Sequence, residues 1–127
     1  MPDPVIGSFE LGNRLRRLSK QVPNVVAKAM YEEMKIELKE AKRRTPVKTG
    51  KLQKSGIIYQ PAIDASNHIS VTISFGVPDP YYAIYVHENL EAFHKTGQAK
   101  FLESTLLESA PYMAKRIARR IDLERGL

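Results

Sequence analysis

Between Val26 and Ala41 the apolar positions fall at Val26, Met30, Met34, Leu38 and Ala41, at spacings of four and three that keep them on one helical stripe. The pattern predicts a long helix from about Asn24 to Arg44, and the stripe reads as core, not as a cofactor box. Pro46 ends it, because a proline disfavours helical geometry in the residue before it. Upstream, Phe9, Leu11, Leu15 and Leu18 recur among Arg14, Arg16, Arg17 and Lys20. This predicts a shorter amphipathic helix starting near Ser8 and stopped by Pro23.

After the turn residues "TPVKTGK" (Thr45 to Lys51) the period changes to two. In "HISVTISF" Ile69, Val71, Ile73 and Phe75 alternate with His68, Ser70, Thr72 and Ser74, which predicts a strand with one buried and one wet face. "SGIIYQPAI" is its expected antiparallel partner, with the turn near Asp64 to Asn67. "YYAIYV", Tyr81 to Val86, is rich in aromatic and β-branched residues and predicts a third strand. The helical period returns near Gln98 and runs through Leu102, Leu106, Met113, Ile117 and Ile121, with Pro111 expected to kink or split that helix. The expected fold is α+β: two N-terminal helices, a small antiparallel sheet of about three strands, and a long C-terminal helix packed on the sheet.

Length and composition narrow this further. A chain of 127 residues with 43% hydrophobic content fits one domain, 1–127, with residues 1–22 as a helical arm and 88–98 as a contact loop. "HKTGQAK", His94 to Lys100, is the expected flexible stretch. The longest apolar runs are a few residues, far below the ~20 that cross a bilayer, so no membrane insertion is expected. The opening "MPDPVIGSFELG" has no secretory pattern, and zero cysteines remove disulfides and thiolate sites, which fits a reducing cytoplasm.

The net charge of +6 is unevenly placed. Residues 35–54 hold eight cations against Glu37 and Glu40, whereas 55–94 contain no Lys or Arg but have Asp64, Asp79, Glu88 and Glu91. From residue 95 the balance is basic again. Three uses compete: phosphate contacts with nucleic acid, a solvated helix face, or self-association in which the acidic part of one copy meets the basic part of the next.

"VHENLEAFH" approaches a zinc-protease helix, but Glu91 stands where the second histidine belongs. On a helix His87, Glu91 and His94 would share a face within about 60°, whereas a strand running into His87 separates them. "TGK" at Thr49 to Lys51 fails as a phosphate loop, because Thr45 and Leu52 occupy the places of its glycine and its Ser or Thr. Gly50 reads instead as a turn glycine. No nucleophile elbow or dinucleotide fingerprint occurs, so no enzyme, cofactor or metal centre is expected. Nucleic-acid binding would use Lys42 to Arg44 together with Lys115, Arg116, Arg119 and Arg120, yet four of the six tyrosines, Tyr59, Tyr81, Tyr82 and Tyr85, lie away from these cations, in the acidic part.

Three blocks in order do resemble a family. "AKRRTPVKTGKLQKSG", "YYAIYVHE" and "GQAKFLESTLLE" lie between Lys39 and Glu108 and resemble the tail-component proteins of tailed bacteriophages. The resemblance implies a virion structural protein of the head–tail junction, described variously as a minor capsid, neck, tail-completion or tail-terminator component. It implies a homo-oligomeric ring, commonly sixfold, with connector or stopper and tail-tube or terminator proteins as partners, and DNA in the lumen as a further contact. Manufacture in the host bacterial cytoplasm follows. Lys48 departs from an acid common in relatives, and "HENLEAFHKTG" replaces a shorter turn. The interface candidates are Arg43, Arg44, Lys48, Lys51, Tyr82, Tyr85, His87, Glu88, Glu91 and His94, with residues 42–54 of one copy expected near the acidic middle segment of its neighbour. The alternative is a basic nucleic-acid-binding accessory protein, with a zinc-dependent hydrolase a distant third.

Overall fold

A single residue separates the first two helices, α1 (Pro4–Gln21) and α2 (Pro23–Arg44). Val22 takes φ −137° and ψ 61°. Its N–H donates to the Leu18 carbonyl at 2.7 Å, and its own carbonyl accepts from Val26 N–H at 3.2 Å. Pro23 occupies the first turn of α2, where its missing N–H would have had no intrahelical partner. The computed structural model describes residues 4–46, 50–76, 81–87, 94–97 and 99–126. At the far end of α2 the Thr45 hydroxyl donates to the Ala41 carbonyl at 2.8 Å, and extended backbone at Thr45 leads into Pro46. Gly50, at φ +73°, then turns the chain into the one-turn helix α3 (Lys51–Lys54).

The sheet is antiparallel throughout. Strands β1 (Ile57–Ile58) and β2 (Ala62–Ile63) both pair with β3 (Ile69–Phe75), which pairs with β4 (Tyr82–His87), which pairs with β5 (His94–Thr96). The partner expected for β3 is thus two short pieces. Ile58 faces Ile73 but Ala62 faces Ser70, so the edge strand carries one extra residue between them. That is a bulge at Gln60–Pro61, a place where an edge tolerates proline. The turn into β3 lies where the sequence put it: Asp64 Oδ1 accepts from the N–H of Ser66 at 2.8 Å and of His68 at 2.9 Å, with Asn67 in the left-handed region at φ 61°.

The stretch expected as a flexible loop needs correction. His94–Thr96 forms strand β5, because β4 has a free edge that any short extended segment can satisfy. Three residues are too few for a twofold pattern to show in the sequence. Gly97 closes the strand at φ +80°, and a Cβ there would lie 2.6 Å from the Tyr81 carbonyl oxygen. Lys95 pairs with Glu103 of the last helix, tying this edge to it.

Among the described residues, helices cover one face of the sheet. Ile69, Val71, Ile73, Phe75, Ile84 and Val86 point into a core shared with Leu15, Met30, Met34, Leu102, Leu106 and Ile117. α2 lies directly on the sheet, while α4 (Lys100–Glu124) runs antiparallel along α2, also packs against α1, and reaches the sheet through its first turn. There the Phe101 ring meets Phe75 edge-on at 5.1 Å and Tyr82 at 6.3 Å. Pro111 does not split α4: it is exposed, as is Leu107, whose carbonyl loses its helical donor and faces water instead. Leu15 and Leu18 are buried, so the second half of α1 belongs to the core.

Two carboxylates, Glu33 and Glu37, each 3% exposed, lie between α2 and α4. Glu33 accepts from Arg116 Nε at 3.0 Å and Arg120 Nε at 2.8 Å; Glu37 accepts from Arg116 Nη2 at 3.2 Å and the Ser109 hydroxyl at 2.9 Å. Every carboxylate oxygen therefore has a donor, the condition for burying such groups. Even so, burial pushes the Glu37 carboxyl above its ordinary range.

Gly56 is packed as tightly as the core itself. A Cβ there would lie 2.3 Å from Cε2 of Phe75, a ring with no solvent exposure. Gly56→Ala is therefore expected to cost roughly 1–3 kcal/mol of unfolding free energy. Gly50→Ala, with open space around it but a left-handed backbone, should cost about 1 kcal/mol. Urea denaturation of both variants checks the order; a milder effect at Gly56 would show that Phe75 does not pack there.

Candidate docking cleft

The end of α2, α3, the start of β4 and the start of α4 enclose an open cleft of about 530 Å³. Arg44, Pro46 and Leu52 line it from the first of the three resembling blocks, Tyr82 from the second, and Ala99, Lys100, Phe101 and Ser104 from the third. Segments separated by dozens of residues thus converge on one surface. Leu52, Tyr82 and Phe101 are half-buried and form an apolar floor; Arg44 and Lys100 supply cationic edges. Among the described lining residues there is no carboxylate.

The two edges differ in how far their charge is already used. Arg44 donates to Glu40 at 2.9 Å, to Glu108 at 2.5 Å and to the Ser104 hydroxyl at 3.3 Å, so it fastens the end of α2 to the start of α4. Arg43, largely exposed, makes a two-pronged pair with the same Glu40 at 2.9 and 2.6 Å. These pairings hold the Glu40 carboxyl down at about 2, with Arg43 the larger cause, and Arg44 lowers that of Glu108. Lys100 is exposed and has no such partner among the described residues.

The other candidates divide between the two sheet faces. Tyr82 faces the helices, opposite Phe75, and contributes through the cleft. Tyr85 lies on the uncovered face opposite Thr72, with His87 opposite Ser70 and His94 aligned with Tyr85 across β5. Tyr59 joins that face through its hydroxyl, which accepts from Ser74 at 3.2 Å. Tyr81 hydrogen-bonds Tyr85, a contact that raises the Tyr81 phenol above its ordinary value. Lys51 opens α3 and is exposed. Lys48, Glu88 and Glu91 lie outside the described residues, as do residues 88–93 of the expected contact loop. Among the described residues no three His, Asp or Glu side chains gather as metal ligands would, and no helix is long and apolar enough to cross a membrane.

Sequence reasoning missed the role of Arg116 and Arg120. Their sequence context suggests phosphate contacts, whereas both neutralise the buried carboxylates of α2. The signal was present: Glu33 and Glu37 sit one turn apart on the stripe marked by Met30, Met34 and Ala41, where a charge requires a partner.

Residues 9–104 match the family described as "Bacteriophage HK97-gp10, putative tail-component", and the chain belongs to that family. It is thus a tail-related structural protein of a bacteriophage. No curated protein and no solved structure matches it.

The Arg44 pairings have a pH signature. Both carboxyls are lowered on folding, so they contribute stability above the ordinary value of 4.5 and lose it as pH falls toward about 2. The urea midpoint is expected to drop over that window, and less so in Glu40→Gln. Superimposable profiles would show that the pairing contributes nothing.

Proposed function

We propose that the protein is a non-enzymatic subunit of the head–tail junction, a neck, tail-completion or tail-terminator component that oligomerises into a ring and joins the capsid connector to the tail. The observation that carries this reading is the convergence of the three family-resembling blocks on one exposed cleft, together with membership of a phage tail-component family. An enzyme concentrates titratable groups in an enclosed pocket. Here the blocks meet in an open, apolar-floored surface suited to a protein segment. The uncovered sheet face, with Tyr59, Tyr81 and Tyr85, supplies a second and different contact surface. Two unlike surfaces on one subunit are what a head-to-tail ring requires.

Nucleic-acid binding is the competing use of the basic residues. Its strength is reduced by the internal pairing of Arg43, Arg44, Arg116 and Arg120. A DNA-filled lumen remains compatible with Lys39, Lys42 and Lys54, which lie at the end of α2 and in α3.

Disrupting the gene in the phage that encodes it is expected to leave filled heads and separate tails, with joined particles restored by supplying the chain in trans. Electron microscopy of lysates reads this directly. Normal joined virions, coupled with tight and salt-sensitive DNA binding by the purified chain, would overturn the assignment in favour of the nucleic-acid reading.

A further inference from the structure

The cleft is complementary to a segment of the chain itself. Its floor is Leu52, Tyr82 and Phe101, its edge carries Lys100, and no carboxylate lines it among the described residues. The sequence between β4 and β5, "ENLEAF" at Glu88 to Phe93, offers the opposite: two carboxylates, Leu90 and Phe93, and no cation. We propose that this segment of a neighbouring copy occupies the cleft, with Leu90 or Phe93 on the apolar floor and Glu91 facing Lys100. The inference rests on the ring-forming role proposed above and names the contact that forms the ring.

The ring-forming role makes the contact intermolecular. The cleft touches β4 at Tyr82, whereas the segment leaves β4 after His87 and returns at His94. Five strand residues span about 17 Å. Donor and acceptor surfaces lie at opposite ends of one strand, which is the arrangement for a heterologous contact that closes into a ring or runs on as a filament. Opposite charge fixes the register, because a slipped pairing would bring Glu88 or Glu91 onto the carboxylates that hold Arg44.

The chain has no cysteine, so engineered pairs report contacts without background. In phage particles carrying the double variant Glu91→Cys and Lys100→Cys, mild oxidation is expected to give a ladder of covalent oligomers ending in a closed ring. A monomer with an internal disulfide, no cross-link in particles that contain the chain, or a bond to a different protein bearing its own cysteine would each overturn the contact while leaving the joining role intact. Particles lacking the chain altogether would overturn both. Charge exchange gives a second reading. Lys100→Glu places an acid at a helix N-terminus, where it does not impair folding. It should weaken self-association about tenfold, as should Glu91→Lys, and the double exchange should restore most of the loss. Additive losses in the double variant would contradict the pairing.

Discussion

Burying Glu33 and Glu37 between α2 and α4 is the constraint on which the rest of the arrangement depends. Left unpaired, such charges would cost several kcal/mol each, so α4 must present Arg116, Arg120 and Ser109 at matching heights. The apolar contacts alone would not demand this. A stripe of Met30, Met34 and Ala41 against Met113, Ile117 and Ile121 tolerates sliding by a turn, whereas the carboxylates accept one register. Lys28 with Glu124 at one end and Arg44 with Glu108 at the other repeat the same alignment, although as exposed pairs they add little energy.

That register has a functional consequence. α4 begins at Lys100, and fixing its position along α2 fixes where Phe101 meets Phe75 and Tyr82. Those three rings join the helical layer to the sheet, and two of them, Tyr82 and Phe101, also line the cleft. A turn of slippage would move Phe101 by about 5 Å and leave the cleft without its floor. The buried ion pairs and the cleft are therefore linked: the first set the geometry of the second.

Much of this was legible in the sequence, because the informative segments are long and regular. The stripe of α2, the alternation of β3, the aromatic run of β4 and the Asp64–Asn67 turn all appear where their spacing put them. What escaped was set by tertiary context. β5 exists because β4 has an edge to fill; the partner strand of β3 is divided because Pro61 sits in a bulge; and Pro111 is tolerated because its side of α4 faces water. The candidate surface was half legible. Its residue types were recognised as three separate blocks, but only the fold shows Arg44, Leu52, Tyr82 and Lys100 around one cleft. Tyr82 turned inward while Tyr85 and His87 turned outward, a division that the pleat makes certain once the pairing of Ile73 with Ile84 is known.

The central claim is that this cleft is where the protein meets its neighbour. Hydrogen–deuterium exchange on the free chain and on the chain within phage particles tests it most directly. The account requires new protection at residues 50–54, 82–85 and 99–104, together with residues 88–93, on going from the free chain to the particle. Unchanged exchange at those positions, with protection confined to the outer surface of α4 around Leu107, Tyr112 and Leu123, would contradict it.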